Sequence, residues 1–417
     1  MRILHTADVH FGSNTFGRVD PATGLNTRLL DFRRCFDVMV ERALDEDIDL
    51  FLFCGDAYRT ADPTPTQQRA FAEGLRPLVE HGIPIVMIVG NHDHPVSFGK
   101  ASALDIFSHL AGQVQVFRKP TVCHGDTAIQ TKAGPLQLIA LPWPIRSLLL
   151  SRDEYRKKTP VEIRDAIEAL YAEFIQTAVP ALDPTVPTVL AGHFSVLNAE
   201  MSGSERTSLI AHEPKFSLSS LAVPPIDYVA LGHIHRYQDL NKEGDIPVVY
   251  SSSLERVTFN ERDDDKGFVL VDIDPSQPAP RTTYTFIQTP ARPFTYLHVD
   301  ARESAAPTEM ILEALAHEVI DEAVVRVKYR IDENQVGDVD ATRIRAALKT
   351  AYAIAGVERT VDAVERERRT IVTTDTSMTD ALNRYIDQHE HLQSLRDEMV
   401  EAARELEAAY DAARREE

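Results

Sequence analysis

Up to about residue 290, short runs of apolar and β-branched residues alternate with segments of helical period, as they do in α/β folds. The runs predict strands at Arg2–Thr6, Asp49–Phe53, Ile85–Val89, Leu136–Leu141, Thr188–Ala191, Tyr228–Leu231, Val248–Ser251 and Gly267–Ile273. Leu29, Phe32, Phe36, Met39, Val40, Ala43 and Leu44 recur three and four residues apart and predict an amphipathic helix over Thr27–Glu46. A second helix is expected over Thr66–His81, ended by Gly82 and Pro84, with others at Lys100–Leu110 and Val161–Val179. Around Thr289–Pro293 the rhythm changes. Phe294–Val299 and Ala323–Ile331 are strand-like, Thr308–Ile320 and Asp340–Ala355 helical, which makes a small α+β unit. From Asp375 the chain has no Gly or Pro. Met378, Leu382, Tyr385, Leu392, Met399 and Leu406 fall mostly at helical spacing, so one long amphipathic helix is expected at the end. The expected domains are therefore 1–290, 291–370 and 371–417.

The 417 residues, 43% hydrophobic and 26% charged, suit a globular chain of two or three domains and exclude a fibrous or disordered one. No apolar run reaches the roughly 20 residues of a membrane span, and no signal-like segment opens the chain. Cys35, Cys54 and Cys123 have no pair-like spacing, so no disulfide framework is expected and a cytoplasmic setting is. Against 44 basic residues stand 64 acidic ones, a net charge of −20. Such a field repels phosphates and argues at first against nucleic acid.

The chemistry lies where strands stop. ILHTADVH ends in Asp8 and His10, LFLFCGDAYR reaches Asp56, IVMIVGNHDH ends in Asn91, His92 and Asp93, TVLAGHFS reaches His193, and YVALGHIHR reaches His233 and His235. Singly, each is better read as a turn or hydrogen-bonded polar residue. Five strands ending this way are hard to produce by turn chemistry. Residues past the carboxyl ends of the strands in an α/β sheet converge on one edge, where such folds bind ligands. Imidazole, carboxylate and amide oxygen without thiolate suit Mn²⁺, Fe or Zn²⁺. Seven donors are too many for one ion and fit two, with Asp56 the natural bridge.

The ordered set D-x-H, G-D, G-N-H-D, G-H and G-H-x-H resembles the calcineurin-like metallophosphoesterase superfamily. Within it, the chain is similar to the SbcD / Mre-type DNA-repair nucleases at His5–Gly12, Ala199–Arg206, Tyr228–Arg236 and Tyr250–Arg256. The resemblance implies a four-layer α-β-β-α sandwich, an α+β capping domain and a C-terminal amphipathic helix. It implies two divalent ions, Mn²⁺ for choice, one on Asp8, His10, Asp56 and His235 and the other on Asp56, Asn91, His193 and His233. It places His92 outside both ion shells as the catalytic residue at the scissile phosphate, with Asp93 fixing its ring. It further implies DNA as substrate, cut by exonuclease or endonuclease action at ends or hairpins in repair and recombination. A two-fold homodimer through the helices after Asp56 and Asn91, and docking of 375–417 on an SbcC-type coiled-coil ATPase, complete the picture.

The chain departs from the family pattern at Arg59, where a second active-site histidine is common. A permanently charged guanidinium clamps a phosphate but shuttles no proton. Arg59 and Arg206 are the candidate phosphate contacts. The adverse charge also shrinks on inspection: from Asp375 onward there are 12 acidic and 5 basic residues, Asp8 and Asp56 would be neutralised by the ions, and Arg outnumbers Lys 34 to 10. Binding of DNA by the isolated chain is then expected to be weak and salt-sensitive. The alternative is a small-molecule phosphatase or phosphodiesterase on the same scaffold, for which the α+β unit and terminal helix serve no purpose. A non-catalytic scaffold would need a broken ligand set, and no ligand is missing.

Overall fold

The computed structural model describes residues 1–94, 100–109, 113–144, 157–203, 213–362, 377–387 and 389–415. Arg206, Leu110, Asp375 and the boundary expected near residue 370 lie outside them. Among the described residues, two large sheets dominate. The first has the order β15-β14-β1-β2-β3-β4, from β1 (Arg2–Thr6), β2 (Leu50–Phe53), β3 (Ile85–Ile88), β4 (Val114–Phe117), β14 (Gly267–Ile273) and β15 (Thr282–Gln288). The second has the order β12-β13-β11-β8-β7-β5, from β5 (Thr121–Cys123), β7 (Gly134–Leu141), β8 (Thr188–His193), β11 (Tyr228–Gly232), β12 (Gln238–Asp239) and β13 (Val248–Tyr250), with β6 (Ile129–Thr131) on β7. A two-stranded pair, β9 (Ser195–Val196) and β10 (Lys215–Phe216), follows β8 in sequence. The predicted strands are all present; β4, β5, β6, β12 and β15 lacked an apolar run long enough to predict.

Alternation along each strand builds the layers. Leu4, Phe51, Phe53, Ile85 and Met87 face helices α1 (Thr27–Asp45) and α2 (Pro65–Glu80), packing with Phe32, Phe36, Met39 and Phe71. Their neighbours Ile3, Leu50, Leu52, Val86 and Ile88 point the other way and meet Leu138, Val189, Tyr228, Ala230 and Val249 of the second sheet. The far face of that sheet, with Ile139, Leu190, Val229 and Leu231, is covered by Ile163, Ile167 and Tyr171 of α3 (Pro160–Ala178). The result is helix, sheet, sheet, helix, with the central strands buried on both faces. Helices α2 and α3 start at Thr64 and Thr159, each with a capping box and a proline in the first turn.

The helix expected over Lys100–Leu110 is only a 3₁₀ turn, Asp105–His109. Ser102 and Asp105 bond the backbone instead: Ser102 Oγ donates to Asp93 O at 3.0 Å and Asp105 accepts from Ser102 N at 2.8 Å. Such side-chain competition ends helices. Phe71, Leu75, Leu78 and Phe107 are buried against the first sheet, so these faces cover the core; among their described apolar residues Ile106 alone is openly exposed, at 56%.

A third sheet, β16-β17-β18, comprises β16 (Phe294–Asp300), β17 (Val324–Asp332) and β18 (Ala353–Asp362), accompanied by α4 (Pro307–Ala316) and α5 (Ala341–Ala347). The helix expected over Asp340–Ala355 is thus half helix and half strand. After α5, short-range bonds from Leu348 N to Arg345 O and Ala351 N to Leu348 O tighten the turn, and the chain leaves it to pair with β17. By compactness the chain forms two units: Met1–Val299 with Thr308–Tyr329 and Ala341–Glu358, and Asp300–Pro307 with Arg330–Asp340 and Arg359–Glu417. In the second unit the single terminal helix proves to be two, α6 (Met378–Asp387) and α7 (Arg396–Arg415), joined by a 3₁₀ segment and packed on each other. Glu407 of α7 caps the first turn of α6, accepting from Thr379 Oγ1 at 2.8 Å.

Candidate metal centre

The ligand-bearing strands are neighbours and parallel. β1, β2 and β3 pair in order in the first sheet, β8 and β11 in the second, so their carboxyl ends share one edge. Beyond the sheets the loops stay clasped: Asp8 N donates to Gly55 O at 2.9 Å and His10 N to Asp56 O at 3.0 Å. Asp8, His10, Asp56 and His233 all have positive φ, 55°, 51°, 62° and 93°. Left-handed backbone at non-glycine residues costs of order 1 kcal/mol each and persists where surrounding contacts impose it. Here it turns the side chains inward. The glycines before the ligands have a steric reason: a Cβ on Gly55 would sit 2.4 Å from His193 Nδ1, and one on Gly90 2.1 Å from Asp56 Oδ1.

All seven expected ligands meet in one cluster. His10 Nε2 lies 2.9 Å from His235 Nε2, and Asp8 Oδ1 is 3.9 Å from the first and 3.8 Å from the second. Asp56 Oδ2 is 3.7 Å from His10 Nε2 and 3.4 Å from His193 Nε2. Asn91 Oδ1 stands 3.0 Å from His193 Nε2 and 3.2 Å from His233 Nδ1. Asp56 therefore lies between the two halves.

Three of the imidazoles are held from behind. His193 Nδ1 donates to Cys54 O at 2.6 Å, His233 Nε2 faces Glu213 at 3.3 Å, and His235 Nδ1 faces Glu261 at 3.1 Å. Each contact draws the ring proton outward and leaves the inward nitrogen as a lone pair, the arrangement of metal-binding histidines. Lone pairs and carboxylate oxygens facing one another need a cation between them. Without one, burial raises Asp8 to about 6. Burial would lower His193, yet the neighbouring Asp56 and Asp8 raise it to about 9. Burial acts to raise Asp56, but His193 and His92 hold it well below the ordinary range. Glu261 likewise stays ionised against its burial because Lys266 and His235 adjoin it. The residues present thus fit divalent ions.

His92 differs from the ligands in being open: 32% of its side chain is exposed. Its Nε2 is 4.0 Å from Asp56 Oδ2 and its ring is edge-on to His10, so His10, Asp56 and His92 form a further group able to converge on one ion. Asp93 does not fix that ring. Its carboxylate accepts from Asp56 N at 2.7 Å, Ala57 N at 2.9 Å, Tyr58 N at 3.4 Å and Gly90 N at 3.2 Å, locking the two loops together. The ring is held by a main-chain carbonyl, Arg59 O, at 2.9 Å from Nδ1. Four backbone donors occupy the Asp93 carboxylate instead. Burial and the Asp56 charge raise its carboxyl to about 7.

The Arg59 guanidinium makes no hydrogen bond or ion pair among the described residues. Burial lowers both His10 and His92, and the nearby Arg59 charge lowers them further. Arg236 and Arg256 are spent elsewhere: Arg236 on Glu200, Arg256 on the carbonyls of Arg262, Asp264 and Arg292. Four residues of the site escaped the sequence: Glu213, Glu261, Lys266 and Trp143, whose ring lies 5.0 Å from that of His233. Glu261 and Lys266 flank an acidic run that reads as solvated loop, and only the uniqueness of Trp143 marked it.

The family model for calcineurin-like phosphoesterases matches residues 1–237. The SbcD component of the SbcCD nuclease from Bacillus subtilis (strain 168) is 31% identical over 293 residues, 67% of this chain and 68% of the relative. The same components from Escherichia coli (strain K12) and Staphylococcus epidermidis are 25% and 26% identical, over 63% and 66% of this chain and 62% and 67% of their own lengths. Among the described residues no helix is long and apolar enough to cross a membrane.

Proposed function

The chain belongs to the calcineurin-like phosphoesterase family, on the branch of the SbcD nucleases, and is a metal-dependent phosphodiesterase; from that premise we propose that it hydrolyses DNA at ends or hairpins with two Mn²⁺ ions. The observation that carries this reading is the convergence of Asp8, His10, Asp56, Asn91, His193, His233 and His235, from five strand ends, into one cluster in which all but Asn91 are buried. Asp8, His10, Asp56 and His235 would hold one ion, and Asp56, Asn91, His193 and His233 the other. When bound, the ions neutralise the anionic phosphodiester and make hydroxide available near neutral pH.

The chain's own groups do the rest. Cys54 O, Glu213 and Glu261 keep three histidines in one tautomer and orientation. His92 Nδ1–H donates a hydrogen bond to Arg59 O, so Nε2 faces the open side of the cluster, placed to exchange a proton with the leaving oxygen. The Arg59 guanidinium supplies a charge for a phosphate oxygen beside that ring. With Arg59 where the family commonly has a second histidine, proton transfer falls to His92 alone, which bears on the balance of exonuclease and endonuclease action. In repair and recombination the chain would work as a homodimer with an SbcC-type ATPase docked on its helical end.

The test compares Mn²⁺-dependent cleavage of linear duplex and hairpin DNA with hydrolysis of a small phosphomonoester. The nuclease reading expects DNA cleavage. Turnover of the ester alone would leave the small-molecule phosphatase reading in its place.

A further inference from the structure

We propose that Glu261 and Lys266 form a buried positioning pair that sets the orientation and donor strength of His235 in the metal centre. The inference rests on the two-ion reading above and names what regulates one half of it. Both side chains are fully buried, with Lys266 Nζ 2.7 Å from Glu261 Oε2. The other carboxylate oxygen, Oε1, faces His235 Nδ1 at 3.1 Å. Lys266 Nζ also donates to His235 O at 2.8 Å, and Ser252 Oγ donates to the same carbonyl at 2.8 Å. The pair therefore holds the ligand by ring and by main chain.

A buried ion pair is a poor way to gain stability. Taking each charge out of water costs several kcal/mol, and apolar side chains of similar volume often do as well or better. Directed at a ligand, the same pair has a purpose. The Glu261 carboxylate pulls the Nδ1 proton outward and enriches Nε2, which lies 2.9 Å from His10 Nε2. Lys266 Nζ stands against the Glu261 carboxylate at 2.7 Å, where both side chains are buried. The remaining lone pairs of Oε2 take Val257 N at 3.1 Å and Ser253 Oγ at 3.4 Å, so Glu261 has little freedom to turn away. Glu255, six residues earlier and equally buried, supplies an internal contrast. Its carboxylate accepts from Arg256 N and Arg292 N and adjoins Arg28, and no expected ligand touches it.

The experiment titrates the full chain with Mn²⁺ and reads stoichiometry and the two affinities by calorimetry, with unmodified protein establishing first that two ions bind. If it binds fewer than two, the two-ion reading itself has failed, separately from this proposal. Glu261→Gln combined with Lys266→Met removes both charges and leaves none buried alone. The expected result is a folded protein that binds one ion about 10–100-fold more weakly and keeps the other. Glu261→Asp, which shortens the reach to His235, should weaken the same ion, whereas Glu255→Gln should leave both affinities unchanged even if it melts earlier. Unchanged affinities in a folded double variant would overturn the proposal, as would equal weakening in Glu255→Gln. Failure of both Glu261 variants to fold would overturn it too, by assigning the pair to folding.

Discussion

Three histidines of the cluster are held by groups of two kinds. His92 is turned by a main-chain carbonyl, His193 by another, and His235 by a charged pair. As the exposed member of the cluster, His92 can be removed without opening the core. His92→Ala should keep metal stoichiometry near two while cleavage falls about 10²–10⁴-fold, the usual worth of a general acid or base. Loss of an ion in that variant, read by calorimetry, would make His92 a ligand instead. Asp93 has the opposite character. Its carboxylate serves four backbone N–H groups, so Asp93→Asn would turn an amide N–H₂ toward donors it cannot satisfy. A loss of roughly 1–3 kcal/mol is expected, read as a lower melting temperature together with weaker Mn²⁺ binding. Equal stability and binding would show that the loops hold without it. The ligands themselves were legible because an apolar run ending in Asp, His or Asn is a local pattern. The role of Asp93 was not, because which donors a carboxylate meets depends on Gly55–Tyr58, more than thirty residues earlier.

At the scale of elements, alternation and helical period located the strands and helices that carry the site, and capping boxes at Thr64 and Thr159 began two helices near the expected positions. Where the reading failed, another interaction prevailed over local pattern. Ser102 and Asp105 drew the backbone out of a helix, and pairing with β17 drew Ala353–Asp362 into a strand. The end of the chain is the clearest case, since helical spacing is the same whether it belongs to one helix or two. Here His389 N donates to Ile386 O and Gln393 Nε2 to the same carbonyl, closing α6 and starting the turn back. The hairpin leaves Tyr385 and Leu406 exposed, at 52% and 62%, and these are candidates for the partner-facing surface. Tyr385→Glu with Leu406→Glu should abolish co-purification with an SbcC-type ATPase while cleavage by the isolated chain stays unchanged. Association that survives both charges would place the docking surface elsewhere.

Over the whole molecule, two buried carboxylates and four histidines drawn together make a centre that divalent ions should stabilise. Binding at a concentration a hundred times Kd contributes about 2.7 kcal/mol per ion. Chelation should therefore lower the melting temperature by several degrees, restored by Mn²⁺; an unchanged melting curve would mean that the cluster binds no ion. The net charge of −20 predicts weak DNA binding by the isolated chain, and the arginine–phosphate contacts that remain should make that binding fall with added salt, a dependence readable from affinities at two ionic strengths. The sequence by itself determined the kinds of candidate ligand, their order and the strands that carry them, because hydrophobic alternation and a polar strand end are properties of a few consecutive residues. Only the tertiary structure decided what stands behind those ligands. A carbonyl such as Cys54 O or Arg59 O has no residue-type signature, and Glu261 with Lys266 reads in the chain like any solvated charge run until folding removes the water.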